Sequence, residues 1–355
     1  MNAALAEQRL RNQRIGPPQA QTPEEVVGWM GALQAQDYHQ AVWALGARLA
    51  EPSLARVEQA IAAGEILRTW PMRGTIHWVL PQDAAWMVAL SAERLIRRDQ
   101  RRLQQLEIDV ATLDRCQTLI YAALQGGQRL ARPAMMALFE HNGIRTDGQR
   151  GYHILWHAAL RGVICIGPNA GKQVTFALLD EWAGRAPTFT RDEALARLAE
   201  RYFTSHGPAT LADFAWWAGQ SLTDARLGLE GAGPALVSEQ IEGETYWYAG
   251  GAPGDSRGDY LLAGFDEYLL GYQDRSAVLD PRYSDKIAPG ANGIFFPMIV
   301  HNGQIVGTWK REIKKTQVRL TLMPFKAFSA AGIRRVKAAA EKVGAFLGLE
   351  TEVSV

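Results

Sequence analysis

Residues 112–178 read TLDRCQTLIYAALQGGQRLARPAMMALFEHNGIRTDGQRGYHILWHAALRGVICIGPNAGKQVTFAL, and this stretch decides the fold. Cys116, Leu119, Ile120 and Ala123 recur one helical turn apart, and Gly126-Gly127 stops the run. A second helix is predicted over RPAMMALFEHNGI, closed by Asn142-Gly143, and a third over GYHILWHAALRG, closed by Gly162. VICIG and QVTFAL are short β-branched runs joined by the turn residues PNAGK, which predicts a hairpin. Three helices followed by a hairpin is the layout of a winged helix.

The same order is expected twice more. Residues 190–250 give RDEALARLAERYFTSHG, then PATLADFAWWAG with Thr210 before the helix and Gly219 after it. SLTDARLGLEGAG begins on Ser221 as N-cap, and ALVSEQIEGETYWYAG turns at Glu-Gly. Residues 1–80 form a less regular copy, with Thr22 capping a helix that has Pro23 at its first position and GTIHWVLP completing a hairpin. Beyond about residue 255 short strands alternate with Gly, Pro, Asn and Asp turns. His301-Asn302-Gly303 signals a hairpin, and a last amphipathic helix is expected near 327–347. The expectation is an α+β chain of three tandem winged helices, at 1–108, 109–186 and 187–254, around a small β-barrel with its helix at 255–355.

Composition narrows the function classes. The 355 residues are 47% hydrophobic and 21% charged, the balance of a globular protein, with no run long enough to span a membrane. MNAALAEQRLRNQRIG lacks the apolar core of a secretory signal, and two cysteines cannot make a disulfide framework, so a reducing, cytoplasmic home is expected. Net charge is +1, yet residues 201–300 hold 6 basic and 13 acidic side chains whereas 301–355 hold 10 and 4. Of the 38 basic residues 30 are arginine, whose planar fork suits phosphate and base edges. Arg94, Arg97, Arg98, Arg101 and Arg102 share one helix face. That face reads equally as a solvated surface, partly neutralised by Glu93 and Asp99, or as a stripe against phosphates.

Several chemistries are set aside. GPNAGKQ (167–173) has one residue too few between its glycines for a phosphate loop and no Ser or Thr after Lys172, so it is read as a wing turn. His153 and His157 stand at i, i+4 but have no third ligand at suitable spacing, and a structural pair is expected instead of a metal site. No nucleotide cofactor is implied. Leu33-Gln34-Ala35-Gln36-Asp37 breaks the helical pattern, with Asp37 placed to cap a helix from Tyr38. In a helix Gln34 and Gln36 would point apart; in an extended link both amides point the same way. Satisfying backbone groups at a helix break is the competing account.

LQAQDYHQAVWALGAR, MRGTIHWVLPQDA, FDEYLLGYQDRSAVLD and GIFFPMIVHNGQIVGTWKR occur in that order. Together they resemble the winged-helix DNA glycosylases of the AlkZ/YcaQ type, over about residues 5–350. The resemblance implies release of bulky N-alkylated bases, including those in interstrand crosslinks, by a monomer acting on damaged double-stranded DNA. It also implies a glutamine–apolar–glutamine active site, here Gln34 and Gln36 flanking Ala35, with Asp37 beside them. The chain departs from the family at Tyr38-His39, where a proline or small residue is expected, and this bears on where the next helix begins. DNA contacts are assigned to Arg73, His77, Arg97, Arg101, Lys172, Arg275, Lys310 and Lys314. His77 is also readable as a packed residue, and Asp266 and Arg275 as an internal ion pair. The readings from other classes are a non-catalytic winged-helix regulator and a lesion-binding protein without excision activity.

Overall fold

The computed structural model describes residues 2–184, 186–250, 256–291 and 293–355. The chain forms two compact units, Met1–Val57 with Leu195–Val355, and Glu58–Ala194 inserted between them in sequence. The division falls within the 1–108 segment. The architecture is α+β.

In the inserted unit five strands pair in the order Thr75–Val79, Leu67–Met72, Ile164–Ile166, Thr175–Leu178, Leu130–Ala131. The first hairpin turns on Arg73 and Gly74, both at positive φ (54° and 79°), the backbone that matches the twist of a two-residue hairpin loop. Pro81 then opens a 25-residue helix, Pro81–Gln105. Helices follow at Val110–Leu124, capped by Asp109, at Arg132–His141 and at Arg150–Leu160. These helices and the sheet share one apolar core containing Trp70, Leu95, Ile120, Phe139, Leu155 and Trp156. The run 110–178 thus has the expected helix–helix–helix–hairpin order, with one addition. Leu130–Ala131 pair with Phe176 and Thr175, a strand too short to carry a period in the sequence.

In the first unit the same element order recurs at Arg191–Ser205, Leu211–Ala218, Leu222–Ala232 and the hairpin Leu236–Ile241/Glu244–Ala249, although the first helix begins just before the unit boundary. Thr210 and Asp213 make a reciprocal capping box at the start of the second helix, and Gly219 closes it in a left-handed conformation.

The C-terminal strands depart from expectation. They form an open five-stranded sheet, a half-barrel, in the order Glu350–Ser354, Gln317–Pro324, Gln304–Ile313, Met298–His301, Asp259–Leu262. Four run antiparallel, with the predicted Asn302-Gly303 turn. The fifth, Glu350–Ser354, returns after the helix Ala330–Leu347 and joins the edge in parallel. The crossover helix packs against both edge strands, and among the described residues the two edges are not paired with each other.

Candidate active site

The expected junction lies in the first unit. Helix Pro23–Met30 buries Val26, Val27 and Met30 and ends at Gly31, whose φ of 75° turns the chain out of the helix. Leu33–Gln34 is then extended. Leu33 and Ala35 are each 1% exposed, whereas Gln34 is half-buried and Gln36 exposed. This alternation is what an extended link predicts, with Gln34 in the short strand and Gln36 at the bend before the next helix. The next helix is Tyr38–Gly46, and Asp37 caps it by accepting hydrogen bonds from the N–H groups of His39 (3.0 Å) and Gln40 (3.1 Å). The departure at Tyr38-His39 therefore does not displace the helix start.

A turn more than two hundred residues later holds this segment at several points. The Gln34 N–H donates to Glu267 Oε1 at 2.8 Å, and Gln40 Oε1 accepts from the Gly264 N–H at 2.8 Å. Arg48, past the end of the helix, donates to Ala44 O and makes a bidentate pair with Asp266, at 3.0 and 2.8 Å. Both partners of that pair are wholly buried. Gln13 joins the two acidic positions: its Oε1 accepts from Arg48, and its amide N–H donates to Glu267 O. The geometry of 264–267 is specific. Phe265 has φ 60°, and a Cβ on Gly264 would stand 2.6 Å from Phe295 O.

Around Glu267 the interior is polar and aromatic. Trp217 Nε1–H donates to Glu267 Oε2 at 2.9 Å, and His206 Nε2 lies 3.5 Å from the same oxygen. His206 stacks on Tyr202 at 4.8 Å between ring centres, and burial pulls its pKa below the ordinary value despite the opposing pull of Glu267. The Arg9 guanidinium lies 3.7 Å over the Tyr272 ring and 3.9 Å from Asp213. On the outer side, Arg311 donates to His39 O at 2.9 Å. Burial lowers its pKa, and the nearby charge of Asp37 opposes that shift.

The other expected site residues divide between the units. Arg275, Lys310 and Lys314 lie in the first. The two lysines are exposed. Arg275 corrects the expected ion pair: Asp266 is bound to Arg48, whereas Arg275 is half-buried against the Phe295 and Trp216 rings, at 5.0 and 5.6 Å, and desolvation lowers its pKa. Arg73, His77, Arg97, Arg101 and Lys172 lie in the inserted unit. His77 is fully buried, with Nδ1 2.9 Å from Thr75 O and Nε2 3.3 Å from the Arg73 guanidinium, an arrangement that fits the packed alternative. Arg97 and Arg101 are exposed on the long helix, Arg97 within 3.5 Å of Glu93. Lys172 is exposed on the turn before Thr175–Leu178. His153 is paired with Asp99 at 2.9 Å, and among the described residues no group of three or more His, Cys, Asp or Glu is arranged to hold a metal. Nor does any helix among them have the length and apolarity to cross a membrane. Sequence reasoning missed Glu267, His206, Trp217, Gln13 and Arg48. The one local signal was the adjacent acidic pair inside the apolar run FDEYLL.

The fold matches a known class. The structure of the DNA glycosylase AlkZ from Streptomyces sahachiroi superposes with a TM-score of 0.82 at 25% identity, covering 100% of both chains. The interstrand DNA cross-link repair glycosylase of Streptomyces sahachiroi is 28% identical over 343 residues, 89% of each sequence. The family model described as DNA glycosylase AlkZ-like matches residues 27–346, and the chain belongs to that family. It is a DNA glycosylase, and the regulator reading is set aside.

Proposed function

We propose that this enzyme hydrolyses the N-glycosidic bond of cationic N-alkylated purines in duplex DNA, with Gln34 and Gln36 orienting the attacking water. The observation that carries the reading is the extended link at Leu33–Gln34. It buries Leu33 and Ala35 and leaves Gln34 half-buried and Gln36 exposed, immediately before a helix N-terminus, which supports both amides being presented to a substrate. An N7- or N3-alkylated purine already bears positive charge, so the base departs with little protonation and the transition state carries positive charge on the deoxyribose. Amide oxygens accept a hydrogen bond from water and face that charge without titrating. A glutamine is a poor general base, which restricts the enzyme to lesions that leave easily and excludes neutral bases such as uracil. Asp37 contributes negative charge beside the amides while capping the helix.

The name of the crosslink-repair relative extends the proposal to unhooking of interstrand crosslinks, since releasing one tethered base severs the link. Arg73, Arg97, Arg101, Lys172, Arg275, Lys310 and Lys314 are proposed to engage the DNA, the exposed cations through its phosphates; the burial of His77 supports a packing role for it instead. The finer organisation proposed is three winged helices, 1–108, 109–186 and 187–254, followed by the β domain 255–355, acting as a monomer without cofactor. The element order within 110–178 and 191–249 supports the second and third. The test is excision of 7-methylguanine from an oligonucleotide duplex, read as alkali-sensitive abasic sites. Gln34→Ala/Gln36→Ala is expected to abolish release and to retain DNA binding. Undiminished release by a folded double variant would overturn the assignment.

A further inference from the structure

We propose that Glu267 is a positioning residue for catalysis, setting the Gln34 backbone so that its side chain meets the water at the correct angle. The inference rests on the assignment of Gln34 above. Glu267 is 1% exposed and forms no part of the outer face that would meet DNA. Its carboxylate nevertheless accepts the N–H of Gln34 itself, at 2.8 Å. A peptide N–H fixes the plane of the residue that carries it, so a change at this carboxylate moves the Gln34 Cα–Cβ vector directly.

The carboxylate is held in turn. Oε2 accepts the indole N–H of Trp217 at 2.9 Å, and the carbonyl of Glu267 accepts from Gln13. Asp266 makes the neighbouring attachment. Through Arg48 and Ala44 O it fixes the far end of the helix whose near end Asp37 caps. Two consecutive carboxylates thus brace the segment, Glu267 at Gln34 itself and Asp266 through Arg48 beyond the helix, and of the two only Glu267 touches Gln34. Side chains that lock catalytic groups from behind act on rate more than on binding, because the ground state tolerates a loosened amide and the transition state does not.

The experiment measures single-turnover excision of 7-methylguanine and the Kd for the same duplex, with thermal unfolding as a control, for Glu267→Ala, Glu267→Gln/Trp217→Phe and Gln34→Ala. Displacement of a catalytic group by about 1 Å costs on the order of 100-fold in rate, so Glu267→Ala is expected to lose about 100-fold in excision with Kd changed less than twofold. Glu267→Gln has the same shape but one acceptor oxygen for two donors, the Gln34 N–H and the Trp217 indole N–H. Combined with Trp217→Phe, which removes the competing donor, it is expected to recover at least about tenfold of that loss, because the hydrogen bond to Gln34 keeps the backbone plane. Wild-type excision by a folded Glu267→Ala, or a double variant no better than Glu267→Ala, would overturn the proposal. So would a parallel fall in rate and affinity in the double variant. If Gln34→Ala excises normally, the assignment of the glutamine fails; if it is inactive while Glu267→Ala is not, the positioning role alone fails.

Discussion

The two units differ in how deeply their guanidinium ion pairs lie. In the first, Arg48–Asp266 and Arg9–Asp213 have both partners at 1% exposure or less, and they sit among buried tyrosines, His206 and Glu267. In the inserted unit the guanidinium ion pairs, Arg97–Glu93 and Arg145 with Glu107 and Asp147, are 65–87% exposed, and the core beneath is largely hydrocarbon and aromatic. Desolvating an ion pair is costly and returns stability only with good geometry, so a buried bidentate pair buys position more than strength. Surface arginines cost little and remain available to a polyanion. The difference teaches that the buried pairs of the first unit fix backbone segments behind the glutamine link, while its surface pairs, such as Arg319–Glu312, resemble those of the insert in lying at solvent.

The comparison breaks most visibly at Asp266. Asp266→Ala leaves Arg48 buried and uncompensated, and is expected to destabilise the protein by about 3–5 kcal/mol in urea unfolding. Glu93→Gln should leave the unfolding midpoint unchanged. Equal effects from the two would erase the contrast. Next in size is the response to salt. Arg97→Gln/Arg101→Gln should flatten the slope of log affinity for duplex DNA against log salt by about 1.8, corresponding to two phosphate contacts. An unaltered slope would return those arginines to the solvated-surface reading.

The smallest effect concerns His206. Unfolded, the imidazole takes a proton near its ordinary pKa of 6.5; buried, its pKa is lower. Between those values the unfolded chain binds more protons, so stability is full above the unfolded pKa and falls as pH drops through that window. The expected slope is at most about 1.4 kcal/mol per pH unit. His206→Asn should remove that slope between pH 5 and 7 when unfolding free energy is followed against pH.

What the sequence made legible was local. Thr22, Asp37, Thr210 and Ser221 mark helix starts because a short polar side chain reaches an N–H two or three residues away. Glu242-Gly243 and Asn302-Gly303 mark hairpins because their backbones take positive φ. The backbone at Gln34 was open to a helical or an extended reading from the sequence, and it is extended at Leu33–Gln34. Strand Glu350–Ser354 was missed because its ladder is set by a partner across the crossover helix. The bracing of the site was missed for the same reason on a larger scale. Asp266 was visible as one end of an ion pair, but its partner is Arg48, 218 positions away, and not Arg275, nine positions on. Asp266 drew attention as an acid in an apolar run, while Glu267 beside it, which touches the glutamine segment, did not.

The long separation between Gln34 and Glu267, 233 positions, has a consequence for how this chain can change. The entire inserted unit leaves and returns between them, so its loops can lengthen or shorten without altering the register of either stretch. Within 34–48 and 264–267 a single inserted residue would misalign every attachment at once. Gene shuffling that exchanges the insert should therefore cross over outside helices Leu54–Ala63 and Arg191–Ser205, in which the unit boundaries fall, and these two short tracts need to travel as a matched set from one parent.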